Sequence, residues 1–311
     1  MAFVGKLMCF LSICAVFIVA HMVYFFPKWT RECCEVDFGW IHLTNTSGLQ
    51  EALRMQVFGQ HLVTDHVAGA VGAHLTNKDP NKPLVLSFHG STGTGKNFIA
   101  RIIAETIYKE GMNSRFVHHF SANKHFPHKR KLEQYQDQLR NEVESAVKSC
   151  SRSLFIFDEV EDMPEGLLDS IRTILDYNIH VDGVDYRKTI FIFLSNIAAR
   201  EIIAKTANLL ASRSRREITL KEMEQVIEVT ANKASGGFHQ SRLIINNVVS
   251  HYFPFLPLEK SHLRKCVQVE LQKRGPWLHL REELSIRSYP TCSSPRRFTL
   301  EDVQTENNTP K

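Results

Sequence analysis

Three clusters in the sequence combine residue types at spacings that can do chemistry. The first, Gly90-Ser91-Thr92-Gly93-Thr94-Gly95-Lys96-Asn97, directly follows the apolar run Leu84 to Phe88 and opens a helical pattern. Glycines there let backbone N–H groups curl around phosphates, the start of a helix adds a favourable dipole, and Lys96 reaches the β- and γ-phosphates. A plain glycine turn would have no need of that lysine. Ser or Thr normally follows it and offers magnesium a hydroxyl. Here Asn97 stands in that place, and its amide oxygen can ligate Mg²⁺ or hold the metal's water with altered geometry. The second cluster, Leu154-Phe155-Ile156-Phe157-Asp158-Glu159, ends an apolar strand in two carboxylates. Asp158 would orient magnesium and its water shell, and Glu159 would polarise the water that attacks the γ-phosphate in line. The third is Ser195-Asn196 at the end of the run Ile190 to Leu194, where an amide could hold the attacking water or sense the γ-phosphate. Alone, an acidic pair reads as a solvated turn and an asparagine as a turn residue. In this order behind a phosphate loop they imply binding of a nucleoside triphosphate with Mg²⁺.

The elements that must position these residues follow from the pattern between them. Leu84 to Phe88, Phe116 to Phe120, Leu154 to Phe157 and Ile190 to Leu194 are short apolar runs without polar alternation. Strands covered on both faces look like this, so the expected fold is α/β, a parallel sheet flanked by helices. Two helices are expected ahead of the sheet, Ser47 to Gly59 and His61 to Leu75, with others beginning near Lys96, Lys131 and Pro164. Ala198 to Ala211 reads as helix. Arg213, Arg215 and Arg216 then form a basic cluster before a capping-box start at Thr219-Leu220-Lys221-Glu222. Helical pattern resumes after Gly236-Gly237, breaks at Pro254 and Pro257, and returns from Leu258 to about Lys273. The expected organisation is therefore an N-terminal segment at 1–26, a linker at 27–47, a large nucleotide-binding domain at 48–256, the start of a helical small domain at 257–275, and an irregular Pro/Ser/Thr-containing tail at 276–311.

Composition sets the compartment and partners less firmly. The 311 residues are 43% hydrophobic and 23% charged, as in a globular chain, and exclude a disordered or multi-span membrane protein. The net charge of +5 is too small to imply a nucleic-acid partner, and none is expected. From Leu7 to Phe26, however, no Lys, Arg, Asp or Glu occurs. That run reads as a secretory signal or membrane anchor, with Ile18-Val19-Ala20 as a candidate cleavage site and cleavage left open. Asn45-Thr46-Ser47 and Asn307-Asn308-Thr309 make Asn45 and Asn307 glycosylation candidates. Outside the apolar run lie Cys33, Cys34, Cys150, Cys266 and Cys292, an odd number without zinc-ligand spacing, so disulfide connectivity also stays open. The histidines His118, His119, His125 and His128 have no acidic partners at ligand spacing, and no metal role is expected of them.

As a set, these motifs resemble the AAA+ ATPases of the Clp-like branch and, more closely, the torsin family. The resemblance rests on the phosphate loop ending in Asn97, on His125-Phe126-Pro127-His128, Ile156-Phe157-Asp158-Glu159 and Asp182-Gly183-Val184, and on Phe191-Ile192-Phe193-Leu194-Ser195-Asn196. Phe253-Pro254-Phe255-Leu256-Pro257-Leu258-Glu259 and Cys266 extend it, so that it covers about residues 50 to 275. It implies an AAA+ phosphate-loop ATPase of the endoplasmic-reticulum lumen and nuclear envelope, membrane-associated, with ATP and Mg²⁺ as ligands. Gly90 to Asn97 would bind nucleotide, Asp158 and Asn97 would hold Mg²⁺, and Glu159 and Asn196 would be catalytic. Remodelling of proteins or membranes, in a homo- or hetero-oligomer, is the implied work.

Two departures bear on turnover. Clp-like subunits present an arginine to the neighbour's γ-phosphate after an Asn shortly before the small domain, and this chain reads Asn246-Asn247-Val248-Val249 there. Loss of such an arginine costs about 10³–10⁵ in rate. The family resemblance implies that a membrane-anchored lumenal activator with an ATPase-like domain supplies it, with Arg213, Arg215 and Arg216 as another source. In addition, the Gly-Cys-Lys element that torsins carry late in the small domain has no counterpart after Gly275, and Cys292 has no following lysine. The small domain is therefore read as reduced. Two other functions stay open: a hydrolysis-deficient nucleotide-binding regulator or dominant-negative subunit, and a soluble Clp-like unfoldase outside the secretory pathway.

Overall fold

A computed structural model of the chain describes residues 46–231, 236–237 and 248–274. Five strands form one parallel sheet: β1 Leu84–His89, β2 Val117–Ser121, β3 Leu154–Asp158, β4 Ile190–Ser195 and β5 His251–Pro254. Their spatial order is β2-β3-β4-β1-β5, so each of the first four is followed by a crossover and β1 lies between β4 and β5. The longer helices are α1 Thr46–Gln56, α2 His61–Thr76, α3 Lys96–Ile107, α4 Leu132–Ser149, α5 Ala199–Leu210, α6 Leu220–Ala231 and α7 Lys260–Arg274.

The apolar strands are explained by what covers them. Along β3 and β4, Leu154, Ile156, Ile190, Ile192 and Leu194 join one buried cluster, while the intervening Phe155, Phe157, Phe191 and Phe193 join another. The first cluster is completed by Leu49 and Leu53 of α1, Val67 and Val71 of α2, and Ile99 and Ile103 of α3. The second receives Tyr135, Leu139 and Val143 of α4, Ile202 of α5, and Met223 and Ile227 of α6. Alternate side chains point to opposite faces of a strand, so a sheet with helices on both sides demands apolar residues at every position. On the α4 face, parallel register stacks Phe120 on Phe157 and Phe157 on Phe193, with ring centroids 5.0 and 5.1 Å apart. Phe155 and Phe191 repeat the pairing at 4.8 Å. These ladders fix β2, β3 and β4 side by side.

The expected α/β architecture is the observed one, with three local corrections. Instead of a helix from Pro164 there is a 3-10 turn at Leu168–Ile171 and a single helical turn at Arg172–Leu175. Gly166, two residues after the proline, adopts φ 82° and stops a helix from propagating. The expected helical stretch before Pro254 ends, within the described residues, in β5, where His251, Tyr252, Phe253 and Pro254 pair with Leu86 to His89. Apolar residues at 248, 249, 252, 253 and 255 fit either period, and on an edge strand a proline costs no ladder bond. The last helix begins at Lys260 rather than Leu258.

The chain divides into two units at Leu263, the first holding the whole sheet. The described part of the second is Arg264–Arg274, the rest of α7, where burial pushes the free thiol of Cys266 above its usual pKa. Cys150, at the end of α4, is disulfide-bonded. No helix among the described residues is long and apolar enough to cross a membrane. The apolar segment at 7–26, Asn45, Asn307, Cys33, Cys34, Cys292, Asn246, Asn247 and the tail from 275 lie outside the described residues.

Candidate active site

The carboxyl ends of β1, β3 and β4 meet at a cavity of about 340 Å³ whose lining includes Gly93, Lys96, Asn97, Asp158, Glu159 and Asn196. An α/β sheet offers its binding crevice there, where neighbouring crossovers diverge. The three clusters singled out in the sequence thus converge on one place, although as many as 106 positions separate Gly90 from Asn196.

The phosphate loop runs from β1 into α3. Gly95 precedes the helix at φ 106° and caps it with no side chain, so the first-turn N–H groups are left for an anion. Gly90 is required for a different reason: a Cβ there would lie 2.6 Å from the backbone oxygen of Phe255. Buried Gln60 braces the loop from α2, donating to Thr94 O at 3.0 Å and Leu256 O at 2.9 Å and accepting from Leu256 N at 2.9 Å. Ser91 and Thr94 close the turn internally through Thr94 Oγ1 to Ser91 O at 2.7 Å. Thr92 and Gly93 stand exposed at the cavity.

Lys96 is buried, and its ammonium donates to Gly90 O at 2.6 Å, Ser91 O at 3.1 Å and Asn196 Oδ1 at 2.9 Å. Burial pulls its pKa down to about 8, against the opposing charges of Glu161 and Asp158. Asn97 donates through Nδ2 to Asp158 Oδ2 at 2.6 Å, and the backbone N–H of Glu159 donates to Asp158 Oδ1 at 3.0 Å. Burial would raise the Asp158 pKa, but these bonds and His119, 3.8 Å away, outweigh it and hold the carboxyl below its usual range. One ionised carboxylate and the acceptor end of one amide are a donor set that fits Mg²⁺, which keeps water and phosphate oxygens as its other ligands.

Glu159 sits at φ 59°, a left-handed conformation unusual for a non-glycine residue. Its Oε2 accepts from Ser121 Oγ and Asn123 Nδ2, both at 3.0 Å. Glu161, in the 3-10 turn Val160–Asp162, reaches the other way: it accepts from Ser195 Oγ at 2.9 Å, Asn196 N at 3.0 Å and Asn196 Nδ2 at 2.5 Å. The turn after β3 is thereby tied to β2 by one carboxylate and to β4 by the next. Against it lie the glycines 236 and 237. Gly237 N donates to Val160 O at 2.9 Å, and a Cβ on Gly236 would lie 2.0 Å from Glu161 O.

Every residue expected from the sequence in this cavity is found at or beside it, while Glu161 and Gln60 went unread. The signal for Glu161 was a further carboxylate two residues beyond Glu159; for Gln60 no local signal exists. The arginine cluster is occupied elsewhere, with Arg213 on Glu222, Arg215 on Gly59 O and Glu259, and Arg216 on Asp65. Val248 and Val249 are buried. Among the histidines, His118 stacks on Phe155 at 5.0 Å, and His125 Nδ1 accepts from Ser121 N at 3.0 Å.

Comparison with known proteins adds three findings. A family model described as "Torsin" matches residues 29–157. A "Torsin-like protein" of Caenorhabditis elegans is 44% identical over 246 residues, 78% of this chain and 68% of the relative. A "Torsin-like protein" of Drosophila melanogaster is 40% identical over 225 residues, 72% of this chain and 66% of the relative. The chain thus spans about two thirds of the length of these curated relatives. Among solved structures, the S. cerevisiae Hsp104–ADP complex superposes with a TM-score of 0.54 at 20% identity, over 76% of this chain and 40% of that one. The extended Hsp104:casein complex gives 0.55 at 18%, over 74% and 39%. At that identity the likeness speaks for the fold, which is that of the AAA+ ATPases.

Proposed function

The chain belongs to the torsin family, and on that premise we propose that it binds ATP with Mg²⁺ at the carboxyl ends of β1, β3 and β4 and hydrolyses it. The observation that carries this reading is the convergence of Lys96, Asn97, Asp158, Glu159 and Asn196 on one cavity. The loop N–H groups and Lys96 bind the phosphates. Asn97 and Asp158 would hold Mg²⁺, which would supply neutralisation of the phosphate charge. Glu159 takes a proton from water as the water oxygen bonds to the γ-phosphorus; the bond from that phosphorus to the β–γ bridging oxygen breaks, leaving ADP and phosphate. Ser121 and Asn123 donate to Oε2 of Glu159, which orients the carboxylate and leaves Oε1 to take that water.

The site of action in this reading is the lumen of the endoplasmic reticulum and nuclear envelope, reached by way of the apolar segment at 7–26. The disulfide at Cys150 supports an oxidising compartment. Hydrolysis depends on a membrane-anchored activator with an ATPase-like lumenal domain, because buried valines stand at 248 and 249 and the basic cluster is paired within the chain. The work done is remodelling of proteins or membranes by an oligomer. Lys96→Ala is expected to weaken Mg·ATP binding by about a hundredfold, on the scale of lost charge-assisted phosphate contacts. An unchanged dissociation constant would defeat the site. Glu159→Gln is expected to keep ATP bound while phosphate release falls by about 10²–10⁴.

A second reading, a nucleotide-binding regulator without turnover, is favoured by the same buried valines. Phosphate release from radiolabelled ATP on mixing with a lumenal activator separates the two.

A further inference from the structure

Resting on the proposed nucleotide site, we propose that Glu161 is a positioning residue that fixes which end of the Asn196 amide faces the cavity. Asn196 lies between Lys96 and Glu161. An ammonium can only donate and an ionised carboxylate can only accept, so a single orientation satisfies both neighbours: Oδ1 toward Lys96 and Nδ2 toward Glu161. Glu161 reinforces this by accepting the backbone N–H of Asn196 at 3.0 Å and the Ser195 hydroxyl at 2.9 Å, so β4's end cannot swing away from the turn after β3.

The consequence concerns the chemistry of Asn196. When Lys96 turns to a phosphate, Nδ2 stays on Glu161 and Oδ1 is left as a bare acceptor at the cavity. Asn196 therefore presents an acceptor to the site, able to take an O–H from the attacking water, while one of its two amide protons stays committed to Glu161. The glutamate and asparagine act as one unit, and exchanging their chemistry preserves the pattern. With a carboxamide at 161 and a carboxylate at 196, the amide at 161 donates to 196, the oxygen at 161 still accepts the backbone N–H, and the total charge is unchanged.

The test combines a direct readout of the amide with turnover. In nitrogen–proton correlation spectra of the full chain, the Asn196 Nδ2 proton held by Glu161 is expected to exchange slowly with solvent, and more slowly than its geminal partner. In Glu161→Gln, and in Glu161→Asp, which keeps the charge but shortens the reach, exchange is expected to accelerate by about tenfold or more. Unaltered signals in both variants would overturn the proposal. This measurement needs no nucleotide, so it stands apart from the ATP site, whose own failure would show as no binding of an imido-bridged ATP analogue to the wild-type chain. In single turnovers with radiolabelled ATP and the lumenal activator added, Glu161→Gln is expected to be slower by about tenfold or more, with ATP affinity within about threefold of wild type. The double variant E161Q/N196D is expected to recover part of the rate lost by either single change. A double variant no faster than the slower single, or a rate loss matched by loss of ATP binding, would argue against it.

Discussion

Lys96 spends all three of its donors inside the protein, on two loop carbonyls and on Asn196. A bound phosphate must take over one of them, and the bond to exposed Asn196 is the one nearest the cavity. His89, behind the loop, has the opposite character. It is fully buried between Ser87 Oγ at 2.7 Å and Ile197 O at 3.2 Å, and burial pulls its pKa down to about 4. The unfolded chain takes up a proton on this ring near pH 6.5 and the folded one does not until about pH 4, so stability is present above the first value and is lost as pH falls toward the second. Its full loss amounts to about 3 kcal/mol. Urea midpoints are expected to drop between pH 7 and 5, and more shallowly in His89→Gln. At this scale Lys96, Asn97, Asp158, Glu159 and Asn196 were legible because each belongs to a contiguous motif. Glu161 was not, because the partners that give it meaning lie on another strand.

Elements show where sequence pattern runs out. β1, β3 and β4 were readable from their apolar runs, since a strand covered by helices on both faces leaves an unmistakable composition. β5 was not: it is four residues long, it ends in a proline, and its apolar spacing serves a helix equally well. Yet β5 leads into Phe255 and Leu256, which pin the phosphate loop through Gly90 and Gln60. Gln60→Leu would strand the carbonyls of Thr94 and Leu256 and the N–H of Leu256 in a buried setting. It is expected to cost about 2–4 kcal/mol in chemical denaturation and to weaken ATP binding, although Gln60 lines no part of the cavity. A loss confined to stability would show that the brace does not govern the loop.

For the molecule as a whole, the family and fold were legible because ordered motifs constrain topology far more than composition does; the charge of +5 contributed nothing. Disulfide bonding was illegible, since chain spacing does not say which cysteines meet. With Cys150 bonded at the end of α4, reductant is expected to lower stability by about 2–4 kcal/mol, and Cys150→Ser to reproduce that loss and remove the response to reductant. Thermal scans with and without reductant read both effects. The glycine at 236 has φ 87°, and the 2.0 Å gap between its missing Cβ and Glu161 O makes it a wedge point. One added methyl there would press on the acidic turn without altering a single charge or polar group. For anyone who wants an inert control protein with the native surface and electrostatics, that backbone contact is a better target than the carboxylates themselves.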